Sequence, residues 1–390
     1  MKFKMKILHV IPFFTPVMGG SVISTYNLSK HLAKRGHDVT IFTTDFELDE
    51  DYIRSLEGIR VVPFHCTANI GMMLFSPEMK RQFKEEIKNF DIIHMNNFRS
   101  YQNIVACHYA KKYCVPYFLQ PRGDIPRTDV KRRVKKLFDL VYGYKILNGA
   151  SKIIFSSNFE LKETERDFTI RKDKVEFIPN GTDLLEHDLL EKGNFRRKYS
   201  IKDKEKIILF LGRIHEIKGV DLLAKSFSNL HEILEDTTLV FVGPDDGYLS
   251  SLKDLVKQLG ITDKVTFTNS LFGVEKLQAY VDSDVVVLPS RYESFGNTAL
   301  EACACGTPVI VSCNCGVKEW ISSDVGRVVN FDEDQLADAI FEILSNEKLR
   351  ERLGANGSKL VKDKFSWDKI ATKTEELYET ILAKEPAQDI

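Results

Sequence analysis

The feature that most constrains this chain is a recurring alternation of short, uniformly apolar runs with longer stretches of helical period. KILHVI (6–11), DVTIFTT (38–44), DIIHM (91–95), KIIFSS (152–157), KIILFLG (206–212), TLVFVG (238–243), VVVLPS (285–290) and TPVIVS (307–312) are rich in Val, Ile and Phe. Strands of this kind suit a sheet covered on both faces. The helical segments between them suit parallel βαβ crossovers. The expected fold class is therefore α/β and doubly wound.

The pattern starts twice. One strand–loop–helix unit opens at Ile7–Ile11 with Gly19 and Gly20 in its loop, and a second at Ile207–Leu211 with Gly212, Arg213, Lys218 and Gly219 in its loop. The polar stretch 181–205 reads as a linker. Two Rossmann-like domains are expected, over 1–185 and 200–365, followed by an amphipathic helix over 366–385 that returns to the first domain. Ligands of open α/β sheets sit beyond the carboxyl ends of the strands, so both glycine-bearing loops are expected to face a cleft between the domains.

A length of 390 residues accommodates two domains with separate cores. A formal net charge of −1 argues against a general nucleic-acid binder, which carries a clear basic excess. The seven cysteines are odd in number. The opening MKFKMKILHVIPFFTP has no small-residue cleavage site after its apolar run and reads as a first strand rather than a signal peptide. No apolar stretch approaches the roughly 18 residues of a membrane span. A cytoplasmic protein with reduced thiols is expected.

The densest chemical cluster is PSRYESFGNTALEACACGTPVIVS (289–312). A buried strand ends at Pro289, a loop presents Glu293, and Ser294, Phe295 and Gly296 turn the chain into a helix. Asn297, Thr298 and Ala299 form the first turn, whose free N–H groups and positive dipole end attract a diphosphate. Glu301 follows one turn in, and carboxylates bond strongly to sugar and ribose hydroxyls. A plainer reading also stands: Glu301 caps its own helix and Glu293 is a solvated loop acid. In GRIHEIKGVDLL (212–223), Arg213 and Lys218 follow a strand end, where two cations neutralise a diphosphate and stabilise it as a leaving group. Either cation alone reads better as an exposed loop residue. Cations, a helix N-terminus and hydroxyl-binding acids together suit a nucleotide sugar.

GRIHEIKG, VGPDDG, VTFTNS and PSRYESFGNTALEACACGTPVI, in that order, resemble the retaining glycosyltransferases of family 4, with the GT-B fold. The resemblance extends over nearly the whole chain. It takes in the Gly19-Gly20 loop, SSNFE (156–160), IPNG (178–181) and the Trp367 helix. The Glu-x7-Glu pair, Glu293 and Glu301, is its most specific element. It implies that Arg213 and Lys218 bind the donor diphosphate, Glu293 the sugar and Glu301 the ribose. It further implies that amides around Gly296, Asn297 and Thr298 complete the phosphate site. Phe267–Ser270 would lie against the base, and Gly19-Gly20 would close over the phosphates. The implied reaction is retaining hexosyl transfer from a UDP-sugar first, or a GDP-sugar second, with no metal or other cofactor and no protein nucleophile. The implied acceptor is a saccharide or a lipid-linked saccharide of cell-surface polysaccharide or glycoconjugate synthesis.

One departure stands out. Where many members carry Pro-His-Gly, this chain reads QPRGDI, placing Arg122 where the His would be; its role stays open between phosphate, acceptor and structure. His94, at the end of DIIHM, is the other first-domain candidate, with a structural role the plainer reading. Asp282-Ser283-Asp284 matches a metal-binding Asp-x-Asp pattern but reads better as structural before a buried strand. CACGTPVIVSCNC has a spacing too tight for a zinc site and reads as buried thiols. Segment 111–145 carries ten Lys or Arg against three Asp, interleaved with Val134, Leu137, Phe138, Leu140 and Val141. It reads either as a basic amphipathic helix on an anionic membrane or as a solvated face. Met72, Met73, Leu74 and Phe75 read as an apolar loop at the same end or as core. Two other functions fit the same scaffold: a nucleotide-sugar epimerase or sugar phosphorylase, and a non-catalytic sugar-nucleotide binder.

Overall fold

The computed structural model describes residues 4–15, 19–70, 73–127, 132–183 and 191–384. They fall into two compact units, Met1–Gly181 with Trp367–Ile390, and Thr182–Ser366. Met72, residues 128–131 of the basic segment and residues 184–190 of the expected linker lie outside the described residues.

The first unit contains β1 (Lys6–Val10), β2 (Asp38–Thr44), β3 (Arg60–Phe64), the hairpin strands β4 (Ala68–Ile70) and β5 (Met73–Phe75), β6 (Ile92–Asn96), β7 (Tyr117–Gln120), β8 (Lys152–Phe155) and β9 (Val175–Phe177). Its seven-stranded sheet has the order β3-β2-β1-β6-β7-β8-β9, parallel throughout. Successive side chains of a strand point to opposite faces, and β1 and β6 feed both. Leu8, Val10, Ile93 and Met95 join one core with Phe83, Ala106 and Ile146. Ile7 and Ile92 join the other with Leu28, Leu32, Trp367, Ile370 and Tyr378. The last three belong to the helix Trp367–Leu382, which also takes Arg35 (2.5 Å) and His37 (3.1 Å) on Glu375. Leu74 is fully buried and its carbonyl accepts from Gln102 at 2.6 Å, so this part of the apolar Met73–Phe75 run is core.

Three strands of this sheet do not stand out in the sequence. β3 carries Pro63, which has no N–H for a ladder and is tolerated because β3 is an edge strand. β7 is four residues bracketed by Pro116 and Pro121, and β9 is three residues at the other edge.

The second unit contains β10 (Lys206–Leu211), β11 (Thr237–Val242), β12 (Val265–Thr268), β13 (Val285–Leu288), β14 (Val309–Ser312) and β15 (Gly326–Val329), in the order β12-β11-β10-β13-β14-β15. Every pairing is parallel. Ile207 and Leu209 face one core and Ile208 and Phe210 the other. The strand order reverses direction between β10 and β13, which makes the space beyond their carboxyl ends the topological switch point.

Two sequence readings change here. Within the expected linker, Gly193–Tyr199 belongs to the second unit: Phe195 is buried in its core, and Asp282 accepts the N–H groups of Gly193 (2.6 Å), Phe195 (2.9 Å) and Arg196 (3.3 Å). Segment 111–145 is not one amphipathic helix. It holds the end of the helix Tyr101–Lys112, then β7, a turn, and the start of a helical stretch over 132–149.

Candidate functional site

The chain after β10 does not run straight into a helix. Gly212 and Arg213 lead to a short turn, Glu216–Lys218, and Gly219 then opens the helix Val220–Ser228. Gly219 has φ +67°, and a Cβ there would lie 1.9 Å from the Pro289 carbonyl oxygen. Only glycine permits that approach. The Arg291 N–H reinforces it by donating to the Ile217 carbonyl at 2.8 Å. The loop after β10 is thereby locked against the loop after β13.

The consequence is a direct contact between the two sequence clusters. Lys218 Nζ lies 2.5 Å from Glu293 Oε2, with the two side chains 18% and 21% exposed. Glu293 is fixed from its other side by main-chain bonds to the segment after β14. Its N–H donates to Asn314 (3.0 Å), its carbonyl accepts from Gly316 (2.9 Å), and the Phe295 carbonyl accepts from Val317 (2.7 Å). Cys315 packs beneath, its thiol pushed up to about 12 first by burial and then by the Glu293 charge, so it stays a neutral packing group. Cys303 and Cys305 are likewise buried thiols pushed up to about 12. Cys313 is half-buried, and all four are free.

Gly296, at φ +106°, starts the helix Asn297–Ala304, which has no side-chain N-cap. The positive end of the helix dipole at this first turn favours an anion. Thr298 Oγ1 donates to the Leu211 carbonyl at 3.3 Å, tying this helix start to the end of β10. Phe295 is buried, packed against Trp320 and Phe365, so its side chain is a core anchor and any contact with a ligand falls to its backbone.

Glu301 does not cap its own helix. Its carboxylate accepts from Lys276 Nζ (2.9 Å) and Tyr280 OH (2.7 Å), both on the helix Gly273–Val281. These are four residues apart on one helical face, a spacing that would have flagged them. Arg213 is more exposed and pairs with Asp246 at 2.5 Å. Ser270 lies half-buried just past β12, while Phe267 stacks on Phe241 at 5.4 Å. Asp282 and Asp284 are spent on the fold: Asp282 holds the helix Asn194–Lys198, and Asp284 accepts the Ile207 N–H (2.9 Å) and contacts Arg196 (3.3 Å) and Arg350 (3.5 Å). Among the described residues no cluster of three or more His, Cys, Asp or Glu could hold a metal.

In the first unit the order reverses between β1 and β6. Gly19 and Gly20 begin the helix after β1. Arg122, after β7, has φ 52°, uncommon for a residue with a Cβ and a sign of a position held by its surroundings. Its guanidinium donates to Asn96 Oδ1 and Asn180 Oδ1, both at 3.0 Å. Burial lowers its pKa to about 10, which leaves it a cation at neutral pH. Asn96 and Asn180 are partners that residue type alone does not announce, though Asn180 sits in the IPNG segment. His94 is fully buried, stacked on His9 at 4.8 Å and bonded to Tyr378 OH (2.5 Å) and Gln120 Oε1 (3.1 Å). Burial holds His94 well below its ordinary pKa and His9 at about 3. Burial thus favours the neutral ring in both at neutral pH.

Two parallel α/β units, each with a switch point, and a cation, a carboxylate and an uncapped helix start gathered at one of them, define a GT-B glycosyltransferase architecture. Residues 191–360 match the family described as Glycosyl transferases group 1, and residues 18–185 match Glycosyltransferase Family 4. An uncharacterized glycosyltransferase of Methanocaldococcus jannaschii, MJ1607, is 32% identical, over 96% of this chain and 98% of that protein. The mannosylfructose-phosphate synthase of Agrobacterium fabrum is 26% identical over 90% of this chain and 84% of its own. Among solved structures, that of Anabaena Alr3699/HepE in complex with UDP and glucose shares the fold at a TM-score of 0.80. It is 18% identical, over 96% of this chain and all of that one. The chain belongs to glycosyltransferase family 4 and is a glycosyltransferase of GT-B fold.

Proposed function

We propose that this glycosyltransferase retains configuration and draws its sugar from a nucleotide-sugar donor bound in the second unit. The observation that carries the reading is the Lys218–Glu293 contact beside the helix start at Gly296. On donor binding, Lys218 and Arg213 take the diphosphate oxygens, joined by amides at Gly296, Asn297 and Thr298. Glu293, released from Lys218, accepts from sugar hydroxyls, and Glu301 from the ribose, with Ser270 near the base. In the first unit, taken by itself, Gly19, Gly20 and Arg122 are the candidate ligand-binding residues, with Arg122 a fixed cation for phosphate or acceptor. The acceptor hydroxyl attacks the anomeric carbon on the face the nucleotide leaves. The new C–O bond forms as the bond to phosphate breaks, and the hydroxyl proton passes to the departing phosphate oxygen. Catalysis is then positioning and charge stabilisation. The scheme calls on no metal; Asp282 and Asp284, the Asp-x-Asp pair of the sequence, are engaged with main-chain amides and arginines.

UDP is the first base expected and GDP the second; the UDP complex of the Anabaena protein is consistent with that order. The acceptor is a saccharide, in free or lipid-linked form. Among the described residues no helix is long and apolar enough to cross a membrane. A cytoplasmic enzyme touching an anionic membrane through segment 111–145 fits the lipid-linked case. Thermal shift with UDP-, GDP- and ADP-sugars tests the donor: one of them should raise Tm, and no stabilisation by any would sink the donor site. Anomeric configuration of the product, read by NMR, tests retention.

A further inference from the structure

A groove of about 470 Å³ runs between the helix Tyr101–Lys112 and the helical stretch around Tyr142–Ile146. Its volume falls in the range of about 300–1,000 Å³ typical of small-ligand pockets. Ile104, Cys107 and Ile146 supply an apolar part, and Lys111, Lys112 and Lys145 a cationic one. Among the described residues no acidic side chain lines it. Lys111 Nζ meets the Lys145 carbonyl at 3.3 Å, and Lys112 Nζ sits 5.5 Å from the Tyr113 ring centre, so neither charge is spent on a carboxylate in these contacts.

The helical stretch over 132–149, which supplies Tyr142, Lys145 and Ile146 to the groove, exposes the same two-part chemistry. Val134, Leu137 and Leu140 are 66%, 64% and 73% exposed. Spaced three apart, they share one helical side. Arg132, Arg133 and Lys136 are exposed among them. The one acid of residues 132–149, Asp139, is fully buried and bonded by Arg99 and Arg127, each at 2.8 Å. No acid of this stretch therefore stands beside its exposed cations at the surface. Apolar side chains left this exposed beside cations match the water–bilayer boundary, where each group finds its own medium.

We propose that this groove binds one anionic lipid of a bilayer. The lipid phosphate sits against Lys111, Lys112 and Lys145, the first part of its chain lies along Ile104, Cys107 and Ile146, and Val134, Leu137 and Leu140 enter the interface. This deepens, and rests on, the membrane contact proposed above. A free phosphate would use the lysines but leave the apolar half without a role.

The full chain is titrated with a short-chain phosphatidylglycerol held below its micelle concentration, and separately floated with phosphatidylcholine vesicles with and without phosphatidylglycerol. Wild type should bind the short-chain lipid saturably and float only with the anionic vesicles. Lys111→Glu with Lys145→Glu should weaken lipid binding about tenfold or more, and Ile104→Trp should block the groove without altering charge. Leu137→Ser with Leu140→Ser should lose flotation while keeping short-chain binding. Flotation without saturable lipid binding overturns the groove and leaves the membrane contact standing. Loss of both overturns both. Glycerol phosphate binding as tightly as the short-chain lipid overturns the lipid assignment.

Discussion

Replacing Lys218 by Met tests whether its charge serves the donor or only its neighbour. The Lys218–Glu293 pair, at 2.5 Å, is about four-fifths buried on each side. Exposed pairs contribute about 0–1 kcal/mol, and breaking a fully buried one costs about 3–5 kcal/mol. An intermediate cost of about 2 kcal/mol is expected. For a unit of 185 residues (366 − 182 + 1), that lowers Tm by about 4–8 °C. The effect on turnover should be larger, because a preorganised donor at a developing charge contributes about 10²–10³ in kcat. Pairing Lys218→Met with Glu293→Gln separates the two roles. The double variant removes the stranded carboxylate and should recover most of the lost Tm, yet stay as inactive as the single variants. Nucleoside diphosphate release, with the donor that gives the largest thermal shift, is the assay. Turnover by Lys218→Met within about fivefold of wild type, or activity restored in the double variant, would refute a donor role.

Three further outcomes follow from the same geometry. Lys276→Met should raise the donor KM more than it lowers kcat, because Glu301 keeps only its Tyr280 bond and loses its orientation; an unchanged KM removes Glu301 from donor binding. Asp282→Ala should cost about 1–2 kcal/mol, the size of a lost helix cap, with turnover per folded molecule and resistance to EDTA both unchanged; inhibition by EDTA would revive a metal role for Asp282 and Asp284. His9, at about 3 in the fold against 6.5 when unfolded, binds its proton only in the unfolded chain between those values. Stability should thus be full above pH 6.5 and fall as pH drops from 6.5 toward 3, with up to about 1.4 kcal/mol per pH unit from this group. Denaturant unfolding of His9→Gln should show a shallower pH slope, and an unchanged slope would count against the buried neutral ring.

Much of the fold was readable from strand and helix pattern because strands buried on both faces must be apolar along their whole length. Central strands such as β1, β6, β10 and β13 advertise themselves in this way. β3, β7 and β9 do not, because an edge strand tolerates Pro63 and a strand of three or four residues leaves no periodicity to detect. The basic segment misled for a related reason. Its basic excess emerges only when the whole segment is counted, yet Pro116 and Pro121 cut it into helix end, strand and turn before the apolar residues of 132–141 begin.

By itself, the sequence determined the class: two parallel α/β halves, each with a loop after its first strand, and charged residues placed at strand and helix ends. Local pattern suffices for this, since backbone propensity and burial act over a few residues. Pairing between charges is decided by residues distant along the chain, and only tertiary structure shows it. Gly219 under the Pro289 carbonyl brings Lys218 to Glu293 across 75 positions. The helix Gly273–Val281 holds Glu301 through Lys276 and Tyr280. Arg122 meets Asn96 and Asn180 because β6, β7, β8 and β9 follow one another in one parallel sheet, with Asn96 at the end of β6 and Asn180 just past β9. Crossover connections place loops together at the strand ends, and the identity of the neighbour follows from strand order, which no local stretch of residues encodes.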